Sequence, residues 1–172
     1  MGRIDTETMY ANVKKWTWKN SNGDIYFDPE TRKNGISFRN SLGRLADEFI
    51  KEKDFVRAEE ILDMSMEKMP MESYGYFRLV IGHIESYYLI DRPEKARKIV
   101  EYLIQNFKER IYFYSGLSSY ELTQNFGDLE GTLDLYKYII ATSVEYDTEE
   151  YSGKLKDEFM TSVTLLEEVL EE

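Results

Sequence analysis

No cysteine occurs in the 172 residues, so disulfides, thiol catalysis and cysteine-ligated metals are excluded, although the lack identifies no compartment. One histidine, His83, is present. A single imidazole with no thiol assembles neither a metal site nor a catalytic triad, so His83 reads as a packing residue. A glycine-rich phosphate loop, a nucleophile elbow and a zinc motif are also missing. Paired carboxylates such as Glu59 with Glu60 or Glu149 with Glu150 are plentiful, but helix-surface pairs do not define a cleft. By itself the chain reads as no enzyme, with no catalytic residue, metal or cofactor. No stretch approaches the roughly 18 apolar residues of a membrane helix, and the N-terminus lacks the charged-then-apolar order of a signal peptide. On these grounds the protein is either cytosolic or a piece of a longer chain.

Positive charge is scarce: 22 Lys and Arg stand against 33 Asp and Glu, a net charge of -11. Binding to nucleic acid depends on cations that displace counterions from phosphate, so it is disfavoured, as is attraction to an anionic membrane surface. The imbalance is local. Residues 144–172 hold ten Asp and Glu against Lys154 and Lys156, which is the composition of a solvated helix face. With 42% hydrophobic and 32% charged residues, the chain is otherwise an ordinary globular sequence of about one domain's length.

Periodicity is what the sequence does have. Residues 38–70 carry Leu42, Leu45, Ala46 and Phe49, then Ala58, Leu62 and Pro70, in the order of large, small and aromatic positions of a tetratricopeptide repeat. Small residues at 46 and 58 let two antiparallel helices approach. Leu45, Phe49 and Leu62 fill the space between them, and Pro70 stops the second helix. Tyr87 and Ala96 repeat the nine-residue step from Phe49 to Ala58, 38 residues later. Gly131, 35 residues beyond Ala96, marks a degenerate third unit with Leu122 and Leu135. Residues 46, 58, 96 and 131 are therefore expected to be the tight crossings.

The expected fold is all-α, with about three tetratricopeptide-like antiparallel hairpins in residues 29–172, a C-terminal capping helix, and an irregular N-terminal arm in residues 1–28. Helices are expected at 29–52, 55–69, 74–90, 93–110, 118–126, 129–146 and 154–170. Their start signals are Asp28 with Pro29, Asp54, Asp91 with Glu94, and Ser118 with Glu121. Gly35 and Gly43 are either weak points or close-packing points of the first helix. A polar, acidic break is read between Tyr146 and Gly153. In the last helix Leu155, Phe159, Val163, Leu166 and Leu170 share one face, as in a helix that closes a repeat stack or in one that binds a partner.

In repeats of this kind the first helix of each pair lines the concave side. That register offers Asn40, Asp47, Lys51, Arg78, Glu85, Tyr88, Tyr120 and Gln124 as a binding surface for a protein or peptide segment. The set mixes both charges with tyrosine and lacks the Lys, Arg and Asn cluster that would hold a terminal carboxylate. In the arm, residues 6–15 suit a short helix after Asp5 with Met9 and Val13 on one face, followed by a polar turn at 20–23 and an extended segment at 24–27. Trp16 and Trp18 fall on one side of an extended segment. They either pin the arm to the helical body or stack on a sugar or a partner.

A resemblance adds to this reading. Arg3, Ile4, Asp5, Thr6, Met9, Tyr10, Asn12, Val13, Lys15 and Trp16, then Ile25, Tyr26, Phe27 and Asp28, match a pattern that continues through Phe38, Arg39, Asn40, Gly43, Arg44, Leu45 and Ala46 to the Met69 and Pro70 helix end. Together they resemble the C-terminal soluble region of a family of polytopic bacterial membrane proteins. The membrane part of that family is similar to protein O-mannosyltransferases and other lipid-sugar-dependent glycosyltransferases. The similarity covers nearly the whole chain, and the third unit and acidic tail match poorly. The resemblance implies that the catalytic carboxylates lie in a membrane part outside this sequence, that the arm connects to the last membrane helix, and that the domain stands in the periplasm. It implies a non-catalytic interaction domain that holds the acceptor, orders the transferase against partners, or dimerises it. The expected partners are a protein or peptide segment, the parent's own membrane domain or a glycan acceptor, with no nucleic acid and no membrane insertion by this chain. The alternatives are a free-standing cytoplasmic scaffold and a carbohydrate-binding module acting through Trp16, Trp18 and the tyrosines.

Overall fold

The computed structural model describes residues 4–19, 26–75 and 77–170. Among them are nine helices and no strand, so the protein is all-α. The turn expected at 20–23, the start of the extended segment at 24–27, and Arg3 and Ile25 of the resemblance lie outside the described residues, as does the side chain of Leu170. The chain forms two compact units, Met1–Arg92 and Pro93–Glu172, which divide it inside the second expected hairpin.

The first unit is built on one long helix. Helix α1 (Thr6–Val13) is capped by Asp5, which accepts from the Thr8 backbone N–H at 2.9 Å. Helix α2 (Pro29–Lys51) starts where Asp28 accepts from the N–H groups of Glu30 and Thr31, with Pro29 in the first turn, where its missing donor costs nothing. Helix α3 (Phe55–Lys68), capped by Asp54, folds back on α2 after three residues. A single turn, α4 (Met71–Tyr74), and helix α5 (Arg78–Leu89) complete the unit, and α1, α3, α4 and α5 all pack on α2. Leu42, Leu45, Phe49, Ile61, Leu62, Val80 and Ile84 form the core, with Ala46 and Ala58 fully buried at the α2–α3 crossing.

The ends of α2 and α5 share one turn geometry. Lys53 (φ 61°) and Asp91 (φ 59°) are both left-handed. The Asp54 N–H reaches back to the Phe49 carbonyl at 2.8 Å, and the Arg92 N–H reaches the Tyr87 carbonyl at 2.9 Å. These are Schellman turns, which satisfy carbonyls that a helix end would otherwise orphan. The helix expected at 74–90 begins instead at Arg78. Gly75 adopts φ 65° and ψ -135°, a conformation open to glycine, and the chain ahead of it closes off as α4.

The second unit contains α6 (Pro93–Ser115), α7 (Ser119–Gln124), α8 (Phe126–Tyr146) and α9 (Glu149–Leu170). Helices α6, α8 and α9 pack against one another, and α7 packs on α8. Tyr136 is the largest fully buried residue; its ring lies 6.1 Å from that of Phe107 and 5.0 Å, edge to face, from that of Phe159. Ser118 and Glu121 make the expected capping box. Ala96 is fully buried, but Gly131 is exposed with open space around it, so it is not a tight crossing. The buried positions on α8 are Leu129, Thr132, Tyr136, Ile139, Thr142 and Ser143, so Thr132 and Tyr136 fall one residue out of step with the repeat positions 131 and 135. The expected acidic break shrinks to Asp147 and Thr148, because Thr148 accepts from the Tyr151 N–H at 3.3 Å and Glu149 and Glu150 sit in the first turn of α9, where the helix dipole favours anions. Among the described residues no helix is long and apolar enough to cross a membrane.

Candidate ligand cleft

The first ten or so residues of α2 run past the end of α3, and they form one wall of a cleft of about 540 Å³. Thr31, Asn34, Gly35 and Phe38 line it, at the three- and four-residue steps that keep side chains on one helix face. A second wall is the arm after α1, with Lys15, Trp16, Thr17, Trp18 and Lys19; Phe27, Met69 and Tyr74 close the rest. Trp16, Trp18 and Phe38 form an edge-to-face triangle with ring centroids 5.3 to 6.1 Å apart, while Phe27 stands 5.5 Å from Tyr74. Such spacings suit rings that attract one another through edge and face charges. Tyr74 reaches this position because residue 35 is glycine. A Cβ there would stand 2.5 Å from Tyr74 Cδ1 and 2.9 Å from Cε1, so Gly35 is a close-packing point.

Behind the cleft lies a buried polar group of residues. Arg39, 2% exposed, donates through Nη2 to the Met69 carbonyl at the end of α3, and its Nη1 is buried without a protein partner. No carboxylate among the described residues pairs with it, and burial lowers its pKa to about 10, which leaves it cationic at neutral pH. His83 is buried with Nε2 2.9 Å from Ser65 Oγ. Burial, reinforced by the Arg39 charge, lowers its pKa to about 3, so the imidazole is neutral. Gly43 lies against that ring, where a Cβ would stand 3.4 Å from His83 Cε1, an ordinary contact distance.

The arm is tied down by its own ion pairs and hydrogen bonds. Tyr10 donates to Glu60 at 2.5 Å, Lys14 pairs with the same carboxylate, Arg57 bonds Glu7 at 2.6 Å, and Thr6 donates to Glu52 at 3.1 Å. The Tyr10 ring meets Phe49 edge to face at 5.6 Å. Trp16 and Trp18 thus do pin the arm to the helical body, and in doing so they wall a cleft.

The eight residues expected to line a concave surface line no part of this cleft. Asn40 and Lys51 are exposed on α2, with Lys51 paired to Glu48 at 2.6 Å. Asp47 accepts from Ser86 Oγ at 3.2 Å and joins α2 to α5; burial raises its pKa, and Ser86 and Lys51 pull it back. Arg78 is exposed at the start of α5, Glu85 is half-buried, and Tyr88 is 8% exposed and so belongs to the interior. Tyr120, 75% exposed, and Gln124 lie on α7 in the second unit. The repeat register missed Phe27, Phe38, Tyr74, Thr31 and Asn34. The signal that would have found them was the excess length of the helix beginning at Pro29, whose first turns have no repeat partner.

The second unit holds a smaller groove of about 350 Å³ beside Lys108, Ile111, Tyr112, Glu158 and Leu165. It also contains a half-buried ion pair: Arg97, its side chain 36% exposed, donates to Asp147 through Nε at 2.9 Å and Nη2 at 2.5 Å, with the Asp147 side chain 2% exposed and the guanidinium 4.7 Å above the Tyr151 ring. Burial, together with nearby carboxylates, pushes the Tyr151 hydroxyl up to about 12. Among the described residues no group of three His, Asp or Glu is placed to hold a metal ion. No protein-family model, curated protein or solved structure matches the chain. Fold and cleft together define an all-α protein with an aromatic-walled cleft in its first unit.

Proposed function

We propose that this chain is a non-catalytic interaction domain that holds its ligand in the aromatic cleft of the first unit. The observation that carries this reading is the convergence of Trp16, Trp18, Phe27, Phe38 and Tyr74, from three separate stretches of chain, around open space of about 540 Å³. Ligand sites have this character: apolar and aromatic walls, a few polar side chains, and a volume in the range of roughly 300 to 1,000 Å³. The setting implied by the resemblance, at the periplasmic end of a glycosyltransferase-like membrane protein, is compatible with such a domain. An upstream gene sequence encoding several apolar stretches of about 20 residues each would support that setting.

The binding reading is tested with anilinonaphthalene sulfonate, a dye that brightens in apolar clefts. Saturable dye binding that is lost in Trp18→Ala and kept in Tyr120→Ala is the expected result. Binding unaffected by Trp18→Ala overturns it. A second reading, in which a protein segment docks on the second unit, is favoured by exposed Tyr112, Phe113, Tyr120 and Phe126. It predicts that photo-crosslinkers at Tyr120 capture a partner in cells.

A further inference from the structure

The walls of the cleft narrow the class of ligand, an inference that rests on the binding reading above. Trp16, Trp18 and Phe38 offer ring faces whose negative charge attracts weakly positive C–H groups. Asn34 and Thr31, on one face of α2, offer both hydrogen-bond donors and acceptors beside those rings. A sugar ring presents two C–H faces and a belt of hydroxyls, and so can use both kinds of wall at once.

Charge separates the remaining candidates. The chain carries a net -11, yet among the described residues those lining this cleft include Lys15 and Lys19 and no carboxylate. A cationic ligand, the usual occupant of an all-aromatic cage, would meet two like charges here. A ligand carrying a carboxylate would meet complementary ones, and complementary potentials favour encounter and register. We propose that the cleft binds an acidic saccharide, a short uronate-containing glycan with a ring packed against Trp16, Trp18 and Phe38 and its carboxylate held by Lys15 and Lys19.

Both tryptophans of the chain line this cleft, so intrinsic tryptophan fluorescence reports on it alone. The full chain is titrated with trigalacturonate, with the neutral galactose trisaccharide, and with an acidic peptide of matching charge, each also in competition with the dye. Trigalacturonate is expected to change tryptophan emission saturably and to displace the dye, with the neutral sugar at least about tenfold weaker. The double variant Lys15→Gln, Lys19→Gln is expected to lose roughly tenfold in affinity for trigalacturonate and most of its salt dependence, the size of one or two charge-assisted contacts. Asn34→Ala, on the solvent side of α2, provides a variant that leaves the core untouched and is expected to weaken both sugars. If the dye binds the cleft and no saccharide displaces it, or if only the peptide does, the acidic-saccharide assignment is overturned and the cleft reading stands. Equal affinity of the lysine double variant for trigalacturonate also overturns it. Failure of the dye to bind removes both readings.

Discussion

The two units are similar in size, and they differ in how well their helices match in length. In the second, α6, α8 and α9 have 23, 21 and 22 residues and pack against one another. In the first, α2 has 23 residues but α3 has 14 and α5 has 12. At 1.5 Å per residue α2 outruns α3 by about 14 Å, and the contact of Arg39 with the last carbonyl of the hairpin, that of Met69, marks where cover ends. Among the described residues the uncovered turns are met by the arm, Met69 and Tyr74, and the cleft is the space they fail to fill. Charge follows the same division. Residues 1–92 carry fourteen Lys and Arg against sixteen Asp and Glu, a net -2, whereas residues 93–172 carry eight against seventeen, a net -9. Among the described residues the first unit buries a cation, Arg39, that no carboxylate pairs; the second buries a carboxylate, Asp147, and pairs it with half-exposed Arg97. Matched lengths leave the smaller groove of about 350 Å³, and the mismatch leaves the cleft of about 540 Å³.

The largest expected effect falls on the second unit. Arg97→Ala leaves the Asp147 carboxylate buried without its bidentate partner and is expected to cost about 3 kcal/mol in urea unfolding. A loss below about 1 kcal/mol would show that the pair is solvated, and would weaken that contrast between the units.

Next comes the interior of the first unit. His83 has its pKa lowered from 6.5 to about 3 in the folded chain, so the unfolded chain takes up a proton first as pH falls. Its contribution to stability is complete above about pH 6.5 and is lost on the way down towards pH 3, at up to about 1.4 kcal/mol per pH unit. It is the one histidine in the sequence, so wild-type stability is expected to fall between about pH 7 and pH 5. His83→Gln, which keeps hydrogen-bonding groups near Ser65, should flatten that slope. An unchanged slope would mean the ring is open to water.

The smallest effect decides between two registers for α8. Gly131→Ala places a methyl group in open space in a helix interior and is expected to stabilise the chain by up to about 1 kcal/mol. A destabilised variant would restore Gly131 as a tight crossing, and with it the view that both units repeat one hairpin.

Much of the helical layout was legible in the sequence because its signals are local. Asp28 with Pro29, Asp54, and Ser118 with Glu121 announce helix starts by the hydrogen bonds they make within one turn. Ala46, Ala58 and Ala96 announce burial by their size. Gly131 misled because glycine is small for two different reasons, and only a neighbour within reach tells them apart. Residues 147–153 misled because acidic residues that read as a break are also favoured in a first helical turn. The cleft was half legible. The tryptophan pair drew attention on its own, but its pairing with Phe38, and that of Phe27 with Tyr74, joins stretches distant in sequence. The concave register failed at Tyr88 because a position counted as outward in a regular repeat is covered in this chain.

The overhang of α2 separates two kinds of evolutionary freedom. Leu42, Leu45, Ala46 and Phe49 are locked to the hairpin, and any change there is felt in folding. Thr31, Asn34 and Phe38, one to three turns earlier on the same rod, touch the cleft and little of the core. Selection can therefore reshape the cleft by drifting those few positions, while the scaffold that presents them stays fixed.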